Sequence, residues 1–370
     1  MSSLRTTPLS LGFALGLIGC DVSFPDEYRI EDLRVLNIKA EPPEVAVFAR
    51  APGDPLRLPS EGVPELAMTP VHLTALVAHP DSGASLEVRW SRCGIFDDLP
   101  CDAPLVALDA GPADELDIVP AQAILEALLE SGSTGGSPIS LAGTLVEDPR
   151  DIFNGFFAYV NTTVSVREAS VPVDTSPLQA EKRLILYDPR LIATAIEEAS
   201  LRGSQGSEVA AALGLPNLCS STSEAHRQKL RAFLEERVPN RAPMLAPLGF
   251  DVIEGLTDTP TGALARGDLI KLRAGEVLAL RPDVTFGSKE TYSVIDGNCQ
   301  LREFDENLSF SWFTRLGELT RHTSTDRAPV VNYTAPKELT SDGMIDRVWL
   351  VVRDGRGGSD HMFIDVELRN

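Results

Sequence analysis

The sequence predicts a mainly β fold, with two β domains, a helical segment between them and a short helix inserted in the first. Three observations carry this reading. Apolar residues alternate with period two in several runs across residues 33–188 and again across 240–370, the period turns helical between Pro189 and Pro239, and Gly, Pro and Asp punctuate the alternating runs. A chain of 370 residues is also longer than one hydrophobic core usually serves, which agrees with two domains.

Taken in order, residues 1–19 hold an apolar run from Leu9 behind a single positive charge at Arg5, too short to cross a bilayer and placed as a secretion signal. The run ends in Leu17-Ile18-Gly19-Cys20, which resembles the lipobox of bacterial lipoproteins. That resemblance implies cleavage before Cys20 and a diacylglycerol and palmitate anchor on its thiol. Residues 20–32 are polar, contain Pro25, and read as a tether.

The first β domain spans residues 33–188. Leu33 to Ile38 forms an opening strand stopped by Pro42-Pro43, and a Pro- and Gly-rich connection runs to Pro70. Val71, Leu73, Ala75 and Val77 then share a face, as do Leu86, Val88 and Trp90 after a turn at Asp81–Gly83, so two strands of a hairpin-like pair are expected, with Trp90 in the core. Asp117 and Pro120 precede a run of strong helix formers, predicting a short helix closed by Ser131–Gly136. Phe156–Val160, Val164–Val166 and Leu184–Tyr187 supply further strands.

The connecting segment, residues 189–239, reads as helical. Ile192, Ile196 and Ala199 line one face, Leu230, Phe233, Leu234 and Val238 another, and Ser221-x-x-Glu224 matches a capping box. Strands return over residues 240–370, at Glu276–Leu280 and at Leu308–Phe313, where Leu308, Phe310 and Trp312 share a face. The clearest hairpin closes the chain. Val348, Leu350 and Val352 alternate into Asp354-Gly-Arg-Gly-Gly358, and Met362, Ile364, Val366 and Leu368 alternate out.

The formal net charge of −21 argues against nucleic acid as a partner and against electrostatic attachment to anionic lipid, since both need clustered Lys and Arg. With Cys20 assigned to lipid, Cys93, Cys101, Cys219 and Cys299 remain, an even number in a compartment that permits disulfides. Three pairings are open. Cys93–Cys101 and Cys219–Cys299 are favoured, because the first pair flanks one loop and the second ties an irregular segment to a strand connection. No CxxC or HxxxH spacing points to zinc.

No catalytic motif stands out: the sequence has no G-x-S-x-G elbow, Gly-rich phosphate loop or H-E-x-x-H, and its five histidines are scattered. Asp354 and Asp360 flank the last turn and are the weak candidates for calcium. Without a D-x-D-x-D-G array, however, they read first as turn chemistry, and no cofactor is expected.

Asn240-x-x-Pro243 opening a unit of about 130 residues, Ser311-Trp312-Phe313 within it, and Val351–Gly358 before the last strand resemble the cadherin-like and PKD-type immunoglobulin-like modules of bacterial surface proteins. With the lipobox and the Trp90/Cys93 strand, the whole resembles lipoproteins of myxobacterial type. The resemblance implies two immunoglobulin-like β-sandwiches used for binding or spacing in the cell envelope, the outer membrane being favoured over the inner. It implies an envelope protein or polysaccharide as partner and no chemistry. The alternative is an envelope hydrolase with an active site assembled from sequence-distant residues.

The anchor is directly testable. Cys20→Ser is expected to leave unprocessed, unacylated precursor in a lipid-labelling experiment, and normal cleavage with lipid still attached would remove the assignment.

Overall fold

The computed structural model describes residues 28–46, 69–81, 83–92, 106–107, 115–120, 156–172, 175–187, 223–252, 262–296 and 299–370. Cys20, Cys93, Cys101, Cys219 and the helix expected after Pro120 lie outside these residues.

The first β unit comprises β1 (Arg34–Glu41), β2 (Glu44–Ala46), β3 (Val71–Ala78), β4 (Leu86–Arg92), β5 (Val106–Ala107), β6 (Glu115–Ile118), β7 (Phe156–Glu168) and β8 (Leu178–Tyr187). They form a three-stranded sheet, β1-β3-β6, and a five-stranded sheet, β2-β8-β7-β4-β5, in which only β2 and β8 run parallel. Val71, Leu73 and Ala75 of one sheet and Trp90, Val164 and Leu184 of the other are buried, so the alternation and the core position of Trp90 hold. The hairpin-like pairing of β3 with β4 does not. β3 bonds to β1 and β6, and β4 bonds to β7 and β5 in the opposite sheet. The physical reason is that alternation fixes which face of a strand is buried and says nothing about its neighbour, and the stretch through Pro80 and Gly83 is longer than a tight hairpin loop. Asp117 is likewise strand rather than helix cap, pairing with His72 across β3 and β6.

A single described helix, α1 (Glu224–Glu236), follows. Its cap is Ser223, whose hydroxyl accepts from the His226 N–H at 3.3 Å, so the expected box at Ser221 is displaced by two residues. Leu230 and Leu234, one turn apart, are fully buried, whereas Val238 lies beyond the helix end and is exposed. His226 also bonds the carbonyl of Cys299 at 2.5 Å, tying α1 to the second unit. Cys299 is disulfide-bonded, to a partner outside the described residues.

The second unit contains β9 (Leu248–Val252), β10 (Gly262–Leu264), β11 (Leu269–Arg273), β12 (Val277–Arg281), β13 (Thr291–Ile295), β14 (Leu301–Asp305), β15 (Ser309–Thr314), β16 (Glu318–Leu319), β17 (Thr323–Thr325), β18 (Val331–Thr334), β19 (Met344–Arg353) and β20 (Ser359–Arg369). Two five-stranded sheets, β10-β9-β12-β18-β16 and β11-β20-β19-β15-β17, enclose a core that includes Leu278, Trp312, Tyr333, Leu350 and Ile364, while β13 and β14 form a separate ribbon. Trp312 is fully buried and its indole N–H donates to Ser324 Oγ at 2.9 Å.

A buried carboxylate organises one end of this sandwich. Asp346 accepts from Thr314 Oγ1 and Tyr333 Oη, both at 2.8 Å, and from the backbone N–H groups of Arg315, Leu316 and Gly317. Only glycine fits at 317, because a Cβ there would come within 2.1 Å of the Tyr333 ring.

The two sandwiches pack sheet against sheet and are not strung in series. β19 is the reason. Val348, Leu350 and Val352 point into the second core, while Trp349 and Val351 on the opposite face join Ile30, Leu36, Leu76 and Ala78 in a cluster shared with β1 and β3. Residues at the end of the expected tether belong to this arrangement. Ile30 is buried, its N–H donates to the Thr314 carbonyl at 2.9 Å, and Tyr28 stacks on His322.

Trp312→Ala is expected to lower stability by about 3–5 kcal/mol in a denaturant titration. Trp349→Ala should destabilise comparably while loosening the seam between sandwiches, seen as separate transitions for the two Trp environments. A single unshifted transition in the Trp349 variant would show that the seam carries no stability.

Candidate functional site

The seam is bolted by polar groups at the end where the Gly-rich turn lies. Gly355 and Gly357 adopt φ of 77° and 100°, which lets residues 354–358 reverse direction in so few steps. Inside the turn, Asp354 Oδ1 accepts from the N–H groups of Arg356 at 2.7 Å and Gly358 at 3.0 Å, and Oδ2 accepts from the Asn240 side chain at 2.8 Å. A Cβ at 358 would lie 2.1 Å from Asp354 Oδ2.

Arg356 projects from this turn into a network that crosses the seam. Its guanidinium bonds Glu306 at 2.9 Å and Glu290 at 3.3 Å, comes within 4.0 Å of Glu44 on β2, and lies over the Tyr292 ring at 4.2 Å. Glu44 is buried. Its Oε2 accepts from the Asn240 N–H at 2.9 Å and from Arg237, just past α1, at 3.5 Å, while Arg237 lies over the Tyr187 ring of β8. Burial pushes Glu306 above the usual carboxylate range, with Arg356 pulling it back. Burial also lowers Arg237, opposed by Glu44.

A cleft of about 460 Å³ opens over this network, floored by Arg237 and Arg356 and walled by Phe233, Glu236, Glu290 and Tyr292. Tyr292 in turn stacks on Phe304 across the β13–β14 ribbon, with ring centroids 5.8 Å apart, and Phe304 is exposed. The cleft therefore offers aromatic faces, carboxylates, hydroxyls from Thr291 and Ser293, and guanidinium groups already neutralised from below. Such a lining suits recognition.

The structure gives the sequence candidates other duties. Asp354 braces the turn with its contacts to N–H donors, and Asp360 accepts from the Leu245 N–H at 2.9 Å and pairs with Lys39 at 3.2 Å. Among the described residues no three His, Cys, Asp or Glu side chains are grouped to hold a metal. His72 points outward, as its place on the strand predicts. Sequence reasoning missed Glu44, Arg237 and Arg356. The signal for Arg356 was a long cationic side chain placed among three glycines. Glu44 and Arg237 gave none, because they meet only when the sandwiches pack.

The chain matches no protein-family model and no curated protein. Solved structures similar to it include a nucleoside hydrolase-related hypothetical protein from Saccharophagus degradans, associated with carbohydrate metabolism (11% identity, TM-score 0.23). That alignment takes in 45% of this chain and 39% of the other, so the likeness spans well under half of that protein's length. The D0-D1 domain of intimin is 11% identical over 91% of this chain and 99% of its own, with a TM-score of 0.18. The two tandem V-type regions of VCBP3, a v-region-containing chitin binding protein, are 10% identical over 90% and 100%, with a TM-score of 0.25.

His361 makes the seam sensitive to acid. Burial, reinforced by Arg266 and Lys39 and opposed by Asp360, pushes its pKa from 6.5 down to about 4, and its ring bonds Asn37 of β1 at 3.3 Å. Between these two values the unfolded chain binds a proton that the folded chain does not, so stability falls as pH drops through the window. Denaturant titrations at pH 7 and near pH 4.5 should show a smaller acid loss for His361→Gln than for the wild type. Equal losses would place the acid sensitivity elsewhere.

Proposed function

We propose that this chain is a non-catalytic binding or scaffold module of the bacterial envelope, anchored by lipid on Cys20 and presenting the cleft above the seam to an envelope protein or polysaccharide. One observation carries the reading. The charged side chains beneath the cleft pair with one another, Glu306 with Arg356 inside the second sandwich and Glu44 with Arg237 across the seam, which makes a fixed platform rather than a set of groups poised to exchange protons. Aromatic faces and hydroxyls remain for contact at the mouth.

The described chain enters the second sandwich at a distance from the Gly-rich turn. The N-terminal segment joins the second sandwich at Thr314, which pairs with Val348, whereas Ser309 pairs with Arg353 beside the Gly-rich turn. At about 3.3 Å per residue the entry point and the turn are about 17 Å apart along the strand. The disulfides Cys93–Cys101 and Cys219–Cys299 belong to the same proposal, as bonds formed after export.

The soluble chain lacking residues 1–20 is expected to show no hydrolase activity on peptide, ester or glycan substrates, and to capture an envelope component in a manner weakened by Phe304→Ala. Turnover of any of these substrates, lost on changing one His, Ser or Asp, would promote the hydrolase instead.

A further inference from the structure

On the other side of the Gly-rich turn from the cleft, a second cavity of about 440 Å³ runs between β1 and β8. We infer that this groove is a binding site for an oxyanion, a phosphate or carboxylate group held by Lys182 and Arg353. The inference goes beyond the cleft and stands whether or not the cleft has an occupant.

Lys182, on β8 of the first sandwich, reaches across the seam and donates to the Gly357 carbonyl at 2.7 Å. Arg353, at the end of β19, donates to Ser311 Oγ and to the Leu36 carbonyl, each at 3.1 Å. Both line the groove, and both bond only to neutral oxygen: among the described residues neither has a carboxylate within ion-pair distance. This runs against the composition, since 54 acidic residues outnumber 33 basic ones. Neighbouring cations do find acids. Lys39 pairs with Glu41 and Asp360, Arg237 with Glu44, and Arg356 with Glu290 and Glu306.

The carboxylate nearest in sequence to Arg353, Asp354, already accepts from Arg356, Gly358 and Asn240. Partly burying two cations without an ion-pair partner is unfavourable, and an anion placed between them relieves it. Burial lowers both groups in consequence, Lys182 to about 8, with Asp354 opposing and Arg353 adding to the shift. The hydroxyl of Ser359 lines the same groove and makes only a long contact of 3.5 Å to the Ile38 carbonyl, which leaves it able to donate to a ligand. Glu181 is the one acidic lining residue; it is exposed, and opposes an anion. The net charge of the whole chain does not forbid binding, because fields beyond about 8 Å are screened at physiological salt.

The probes are inorganic phosphate and, separately, glucuronate, with chloride at equal ionic strength as control. The readouts are calorimetric affinity and the titration of the Lys182 side chain by NMR, assigned with Lys182→Gln. Binding of either probe should raise the Lys182 midpoint by about one unit or more, equivalent to about a tenfold preference for the protonated amine. Lys182→Gln should weaken binding, Lys182→Arg should retain it, and Glu181→Gln should strengthen it. Phosphate binding without glucuronate binding assigns a tetrahedral anion, and the reverse assigns a carboxylate. A Lys182 midpoint identical in phosphate, glucuronate and chloride would overturn the inference, as would Glu181→Gln and Lys182→Gln shifting affinity in the same direction. The cleft and the binding-module reading would survive either result.

Discussion

The architecture depends on one strand being buried on both faces. β19 supplies Val348, Leu350 and Val352 to the core of its own sandwich and Trp349 and Val351 to the seam with the other. A strand in an ordinary antiparallel sandwich has one dry face and one wet face. Here the wet face is closed by β1 and β3, which are themselves two-faced: Leu73 and Ala75 turn toward the first core and Leu76 and Ala78 toward the seam. The result is four stacked sheets in which the middle two share an apolar interface.

Much of this was legible in the sequence, and what was not has a physical reason. The β19–β20 hairpin was readable because glycines punctuate two runs whose alternate members are apolar, and its register runs from Met344 opposite Leu368 to Arg353 opposite Ser359. Burial of Trp90 and Trp312 was readable from the same pattern. The face-to-face packing had a signal as well: Val348-Trp-Leu-Val-Val352 is an unbroken apolar run, the mark of a strand dry on both sides. Reading only its alternate members hid the second face. The partner of β4 carried no signal at all, since strand pairing is decided by tertiary packing. The cleft was illegible for a related reason. Glu44, Arg237 and Arg356 are separated by more than a hundred residues at each step, and nothing local distinguishes them from surface charges.

The Gly-rich turn joins these levels. Its glycines provide the reversal, Asp354 fixes its shape from within, and the tight approach at Gly358 excludes any larger residue. Because the turn is rigid, Arg356 leaves it in one direction and reaches Glu290, Glu306 and the Tyr292 ring, while on the other side the Gly357 carbonyl receives Lys182. One loop thus forms a wall of both cavities. It also engages Asp354 with three N–H donors, from Arg356, Gly358 and Asn240.

Apolar contact and polar bolts do different work at the seam. Trp349, Val351, Leu36 and Leu76 supply a non-directional attraction that would tolerate sliding of one sheet over the other. Replacing a buried ion pair by well-packed apolar residues is often neutral or stabilising, whereas breaking one by removing a single partner costs about 3–5 kcal/mol. Glu44 with Arg237, Asn37 with His361, and Lys39 with Asp360 therefore add little net attraction over an apolar seam of the same volume. Their effect is to penalise every other alignment, because any slip leaves Glu44 or Asp360 buried without its partner. A surface built from both sandwiches, such as the groove lined by Leu36 and Lys182 on one side and Arg353 and Ser359 on the other, needs that penalty, since its lining keeps its geometry only in one register.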